Sequence, residues 1–444
     1  MKSVEVNFDT LAGPTHNTSV ISFGNVASAS SHLKPSNPQA AALQGLEKMR
    51  FLDSLGFRQG VLPPQRRPHL PTLRLLGFRG SDHEVLKKAW SQSPTILMGV
   101  SSSAYMWTAN SSTVTPSCDS ADNRVHITPA NLSSKFHRSI EAEITERLFK
   151  IVFPEPHFEH HPPILRGQHF SDEGAANHTC FNRAHGTLGV HLFVYGRTNF
   201  KDNLFAPKRY PVRQVFEASE SIARIHRLNP SQVFFVQQNP EAIDAGVFHN
   251  DVISIGNNNV FLYHEKAFCN SDDCISELQK AVTETCETHL NCIKVLNKQV
   301  SLDDAVKSYL FNSQILTLPD SSMIILAPSE CQQTPSVFKF LNELALDPDN
   351  PISKVHYFNL NESMRSGGGP ACLRIRVVLN EDELAAVNPR FLFTEELYNS
   401  LASCIKKNYR TVLLPEDIAN PQFFDECMEA YSAIEKIFGI ENAL

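Results

Sequence analysis

No apolar run in the 444-residue sequence is long enough to cross a membrane. Stretches such as Met323–Ala327 fall far short of the about 20 residues that a spanning helix needs. The opening MKSVEVNFDT alternates apolar with polar or charged residues and lacks the unbroken apolar core of a secretory leader. A cytoplasmic protein with no membrane partner is therefore expected. Positive charge is scarce as well: 40 Lys and Arg against 47 Asp and Glu give a net charge of −7 and a pI near 6.2. A nucleic-acid surface is normally basic, so no nucleic-acid partner is expected. Cysteine is too thinly spread for a disulfide scaffold, and its ten positions (118, 180, 269, 274, 286, 292, 331, 372, 404 and 427) suit free thiols in a reducing compartment. Cys269, Cys274, Cys286 and Cys292, with His289 nearby, lack Cys-x₂₋₄-Cys pairing on both sides. No metal is expected there. Low-complexity tracts, long linkers and visible internal repeats are also missing.

What is present is ordinary for a protein with a large core: 42% hydrophobic and 20% charged residues. At about 100–200 residues per domain, length alone suggests roughly two to four domains. Short β-rich runs recur at Val4–Phe8, Val190–Tyr195, Val233–Val236, Val252–Ile255, Val260–Tyr263, Met323–Leu326, Val355–Phe358 and Leu373–Leu379. Helical periodicity falls between them at Gln39–Leu55, Ile140–Phe153, Arg213–Leu228, Ser276–Leu290, Ser336–Leu346 and Glu395–Asn408. Another helix, Ser81–Trp90, opens with a Ser81-x-x-Glu84 capping box. Proline-rich patches at Pro63–Pro71 and Phe153–Pro163 read as surface excursions. Strands that come in neighbouring pairs before a helix point to an α/β chain of several small mixed sheets.

Gly367-Gly368-Gly369-Pro370-Ala371-Cys372 runs straight into the β-rich Leu-Arg-Ile-Arg-Val-Val-Leu. Glycines let backbone approach a ligand closely, and a cysteine at the mouth of such a loop can meet amides that stabilise a thiolate or an oxyanion. The alternative is a plain turn followed by an inert buried thiol. The loop sets Cys372 above the other nine. A thiol nucleophile needs a proton-handling partner, and His249 in Phe248-His249-Asn250-Asp251 lies in a polar loop between short strands. Spacing alone leaves it open between that role and an exposed turn residue. Asp172-Glu173-Gly174 suits a loop that grips a cation, or equally a helix N-terminus whose acids complement the dipole. Arg138 and Arg213 lie beside turn residues and could each bind a carboxylate.

Taken together, these words resemble the N-succinylarginine dihydrolase family from end to end. They are Glu5–Asp9, Gly13-x-Thr15-His16, Ser22–Ser28, Met106-Trp107-x-Ala109-Asn110, Lys135–Arg138, Gly174–His178, Phe193–Arg197, Gly246–Asp251, Tyr309–Gln314 and Gly367–Cys372. The resemblance implies a pentein-type five-bladed α/β propeller with pseudo-fivefold symmetry, and one catalytic domain over 1–444. It implies a hydrolase that turns N-succinyl-L-arginine and two waters into N-succinyl-L-ornithine, two ammonia and CO2, with no cofactor, as a homodimer. Cys372 matches the nucleophile, and His249 and Glu173 the other catalytic positions. Matching the substrate-binding positions are Ser19, Val20, Ile21, Ser22, Phe23, Gly24, Asn25, Val26, Ala27, Ser28, Asn110, His137, Arg138, Arg213 and Asp251. Where the family pattern has Asn before the triple glycine, this chain has Ser366, a shorter group that keeps donor and acceptor capacity. The alternatives are a deiminase or amidinotransferase of the same superfamily, or a non-catalytic ribosome-binding factor on the same fold.

Overall fold

The computed structural model describes residues 3–20, 22–200 and 205–441. Fifteen strands among them gather into five three-stranded sheets. The first holds β3 (Ser112–Thr115), β4 (Val125–Pro129) and β5 (Phe158–His160). The second holds β6 (His178–Asn182), β7 (Gly189–Tyr195) and β8 (Val233–Gln237), and the third β9 (Ser254–Asn257), β10 (Val260–His264) and β11 (Asn291–Val295). The fourth holds β12 (Gln314–Thr317), β13 (Met323–Pro328) and β14 (Ile352–Phe358). The fifth joins β15 (Arg374–Leu379) to β1 (Val4–Thr10) and β2 (Arg58–Leu62).

Each sheet repeats one plan. An inner strand pairs antiparallel with a central strand, which pairs parallel with an outer one. A parallel pair needs a crossover, and a helix supplies it every time. The crossover helices are Pro38–Ser54, Ala142–Val152, Phe216–Ile225, Ser271–Cys286 and, in the fourth blade, Pro335–Leu346. Hydrogen bonds link neighbouring blades around a ring. Leu132 N donates to Asp172 O, Asn182 N to Asn258 O, Asn257 Nδ2 to Ile315 O, Gln314 Nε2 to Pro370 O and Ala109 N to Cys372 O. The fifth blade closes that ring by pairing the two halves of the sequence, with Phe8 opposite Ile375. The expected five-bladed arrangement is the one found.

Central strands are buried on both faces, between the axis and the helices, so they read as apolar runs such as Met323–Pro328. A helical layer flanks the fifth blade. In it, Asp82–Gln92 carries the expected Ser81–Glu84 capping box, and Glu395–Asn408 packs on Pro421–Phe438. Three expectations are corrected. The Arg213–Leu228 helix begins only at Phe216, which leaves Arg213 on a buried extended segment. Val252 belongs to a single 3₁₀ turn, and the strand runs Ser254–Asn257. The 63–71 patch is not a surface excursion through most of its length: Pro63, Pro64 and Arg67 are buried, and Arg67 donates to Ser102 O and Gln65 Oε1.

Candidate functional site

All five inner strands start at the same end of the ring, and the residue or short turn before each brings a group to a common cleft or to the Cys372 sulfur at its floor. Asn110 precedes β3, Glu173 and the Gly174–Asn177 turn precede β6, His249 and Asp251 precede β9, Asn312 precedes β12, and Cys372 precedes β15. The cleft encloses about 720 Å³ when its open mouth is counted.

The glycine loop is shaped by close approach. Gly367 has φ +113, and a Cβ there would stand 2.0 Å from Asn25 Nδ2; one on Gly368 would stand 2.5 Å from the Trp107 ring. Cys372 is thereby held at the floor. Its Sγ accepts from Asn312 Nδ2 at 3.0 Å and donates to Asp251 Oδ2 at 3.3 Å. Asn312 Oδ1 in turn accepts from the amides of Gly369 and Cys372, at 2.8 and 3.1 Å. Burial, and then the negative Asp251 beside it, push the Cys372 thiol well above its ordinary range. The resting sulfur is therefore a protonated thiol.

His249 Nε2 lies 2.7 Å from Glu173 Oε2, and its Nδ1 is buried with no partner among the described residues. Glu173 Oε1 also takes the Ser134 hydroxyl, and its amide donates to Gln214 Oε1 at 2.7 Å. Burial by itself would raise the Glu173 carboxyl. The hydrogen bond from His249, that ring's charge and Arg213 outweigh it and bring Glu173 to about 2. Asp251 is raised by burial, and its Oδ1 has no partner among the described residues. Glu173 thus lines the cleft with both oxygens engaged, and Asp251 stands behind the sulfur with one buried oxygen unpartnered among the described residues.

Cations mark the other wall. Arg213 donates from Nη2 to Ser22 Oγ (2.9 Å) and Phe23 O (3.1 Å), and lies 4.6 Å over the Phe248 ring. Its buried Nε is unpartnered among the described residues. Lys135 lines the same wall, its ammonium 5.6 Å over the Phe23 ring; burial, then Arg213, lower it to about 8. Arg138 is differently placed. Glu141 takes its Nε and Nη2 at 2.9–3.1 Å, and Asn110 Oδ1 takes Nη1 at 2.8 Å. Its guanidinium is already committed. His137 beside it is buried and lowered to about 3, hence neutral.

Of the other expected contacts, Val20, Ser22, Asn25, Ser28, Asn110 and Ser366 line the cleft. Asn25 ties the 19–28 segment to the glycine loop, donating to Gly367 O at 2.8 Å and accepting from Ser28 N at 3.0 Å. Ser366 Oγ is 3.4 Å from His16 Nε2. Ser19, Phe23, Gly24, Val26, Ala27 and Asp251 do not line the cleft; Phe23 is 66% exposed, and Asp251 reaches the site only through its contact with the Cys372 sulfur. Ile21 lies outside the described residues. Asn312, Lys135, Trp107 and Ser134 escaped the sequence reading as site residues, although the first three lie inside words already singled out. The signal was there for Asn312: a polar residue in the turn before a strand, in the same place as Asn110.

Known proteins resemble the chain closely. The profile of the succinylarginine dihydrolase family matches residues 2–443. A relative from Shewanella denitrificans, an N-succinylarginine dihydrolase, is 50% identical over 438 residues, 98% of each chain. One from Aeromonas hydrophila bears the same description and is also 50% identical, over 98% of this chain and 97% of its own. Among solved structures, the N-terminal domain of ArgZ, a cyanobacterial arginine dihydrolase, superposes with TM-score 0.52 at 15% identity, covering 84% of this chain and 97% of that domain. The apo structure of ArgZ gives 0.51 at 16% identity, covering 87% and 42%. At such identity the likeness shows a common fold.

Proposed function

The chain belongs to the succinylarginine dihydrolase family, and we propose from that premise that it hydrolyses N-succinyl-L-arginine at the cleft, with residues 1–444 acting as one catalytic domain. The observation that carries this reading is the polarity of the cleft. A thiol with the Asp251 carboxylate behind it and the His249–Glu173 pair in the same cleft stand against a wall that carries the unpartnered Arg213 Nε and the Lys135 ammonium. A guanidinium at one end and carboxylates at the other match that distribution.

Substrate activates the nucleophile. The guanidinium enters beside Glu173 with Asp251 behind the sulfur, and its charge offsets Asp251, so the Cys372 proton passes to His249, where it could not before. The thiolate attacks the guanidinium carbon, and His249, oriented by Glu173, protonates the departing ammonia. Water then attacks the carbon–sulfur adduct, His249 takes its proton, and the thiol leaves, giving the ureido compound. In a second round the thiolate attacks that carbonyl and the remaining terminal nitrogen departs as ammonia. A second water releases a carbamate that falls apart to N-succinyl-L-ornithine and CO2. Two waters enter, and two ammonia and one CO2 leave.

Among the described residues, no helix is long and apolar enough to cross a membrane. A cytoplasmic location is the expectation from the sequence, and a homodimer is what the family resemblance implies. The test is a product count. Purified protein incubated with N-succinyl-L-arginine is expected to release two ammonia per substrate and N-succinyl-L-ornithine by mass spectrometry. One ammonia with the ureido compound accumulating would make it a deiminase, and none would end the reading.

A further inference from the structure

Inner strands β3, β6 and β15 lead away from the cleft to a second cavity, about 670 Å³ with its opening included, walled by Glu5, His178, Cys180, His185, Arg374 and Arg376 among others. At its wall three ligating side chains from separate elements converge. β6 and β7 pair so that Cys180 stands directly opposite His191, and the loop after β3 brings Asp119 across them. His191 Nε2 lies 3.0 Å from Asp119 Oδ2, Cys180 Sγ 3.6 Å from Asp119 Oδ2 and 3.9 Å from His191 Nε2. A tetrahedral zinc ion, with bonds of about 2.0–2.3 Å to N, O and S, needs ligand–ligand edges of roughly 3.3–3.6 Å. The triangle differs from that by a few tenths of an ångström.

The surroundings fix each ligand atom from behind, as metal sites require. Asp119 Oδ1 accepts from Gly189 N at 2.8 Å and Gln232 Nε2 at 3.4 Å, which leaves Oδ2 turned to the shared centre. His191 Nδ1 is 2.9 Å from His178 Nε2, so its proton can sit on that side and free Nε2 to coordinate. Gly189 is needed for the approach, since a Cβ there would stand 2.4 Å from Cys180 Sγ. Asp119 and His191 side chains are fully buried, while Cys180 opens onto the cavity and gives an entry path.

We propose that Asp119, Cys180 and His191 form a zinc site, with a cavity water as fourth ligand, separate from the catalytic cleft. A mixed sulfur, nitrogen and oxygen set favours zinc over magnesium or calcium. On binding, the dication takes the place of the Cys180 proton, which is released to solvent, and a thiolate–zinc bond forms.

The experiment uses the full chain, stripped with a chelator and kept reduced. Zinc titrated against a chromophoric competitor is expected to bind at one equivalent per chain, and cobalt in its place to give a thiolate charge-transfer band. Cys180→Ser should remove that band and weaken zinc binding about a hundredfold or more, since even groups behind the ligands are worth 10–100-fold. Its turnover of N-succinyl-L-arginine should stay unchanged. On the unmodified protein, zinc should slow iodoacetamide labelling of the Cys180 peptide and leave that of Cys269 alone. Absence of stoichiometric zinc, persistence of the band in Cys180→Ser, or no protection of Cys180 overturns the proposal. None of these three outcomes depends on which substrate the cleft takes.

Discussion

The two ends of the propeller axis carry the same three functional groups in opposite arrangements. At the cleft, Cys372 and the His249–Glu173 pair line one opening without contacting each other through a hydrogen bond among the described residues, the sulfur held by Asn312 and Asp251. At the far end, Cys180, His191 and Asp119 point at one spot the size of an ion. Burial raises both thiols well above their usual range. A raised thiol is therefore no mark of catalysis by itself. What differs is the arrangement: Cys372 lines an opening shared with Glu173 and the Arg213 and Lys135 cations, whereas Cys180, Asp119 and His191 converge within hydrogen-bonding distance of one another.

The comparison breaks most sharply with single thiol substitutions. Cys372→Ser should lower turnover by about four orders of magnitude or more with the fold intact, because serine is far harder to ionise. Cys180→Ser should leave turnover where it was. Ammonia release by both variants, checked against thermal unfolding, decides the point; the reverse pattern would exchange the roles of the two ends.

Asp251→Asn should uncouple reactivity from catalysis. Asp251 raises Cys372, so removing its negative charge lowers the thiol's pKa and favours the thiolate. In the unmodified enzyme the rate of iodoacetamide labelling should climb with pH through the alkaline range. In Asp251→Asn the climb should move to lower pH, while turnover falls about a hundredfold for want of a carboxylate on the guanidinium. Peptide-resolved labelling rates at several pH values test it, and unchanged labelling would show that Asp251 does not set the thiol.

The two arginines should part company. Arg213 has donors to spare, and a charged hydrogen bond of about 1.5–3 kcal/mol corresponds to roughly 10–150-fold, so Arg213→Gln should raise KM for N-succinyl-L-arginine by about that factor. The gap to free arginine should narrow with it. Arg138→Gln should act first on stability, since it strands the buried Glu141, and breaking such a pair costs about 3–5 kcal/mol. KM and Tm for both variants separate a substrate contact from a strut. The smallest expected effect is that of exhaustive chelation, which should leave turnover unchanged because thiol, imidazole and carboxylates suffice at the cleft; zinc-dependent recovery of lost activity would contradict it.

How far the sequence was legible follows the same axis. The central strands β1, β7, β10 and β13 were found because burial on both faces writes apolar runs. The inner strands β3, β6 and β12 were not, because they read STVT, HTCFN and QILT: short, and polar where they face the axis. Cys372 was legible through its glycine loop. His249, Glu173 and Asp251 became so only through family resemblance, since each is a single residue in a turn and the cleft assembles one turn from each blade. Lys135 and Ser134 stood inside or beside the segment containing Arg138, which drew notice to itself, yet Arg138 is the cation already committed to Glu141. Asp119, Cys180 and His191 have spacings of 61 and 11 residues, and only strand pairing brings them together.

The central claim is covalent catalysis by Cys372 on the guanidinium carbon. Enzyme mixed with N-succinyl-L-arginine, quenched in acid within the first turnovers and digested should yield a Cys372 peptide heavier by the amidino adduct. The label should be absent when Cys372→Ser is used and should vanish as substrate is exhausted. Full turnover with no adduct on that peptide, or an adduct on another cysteine, would contradict the account.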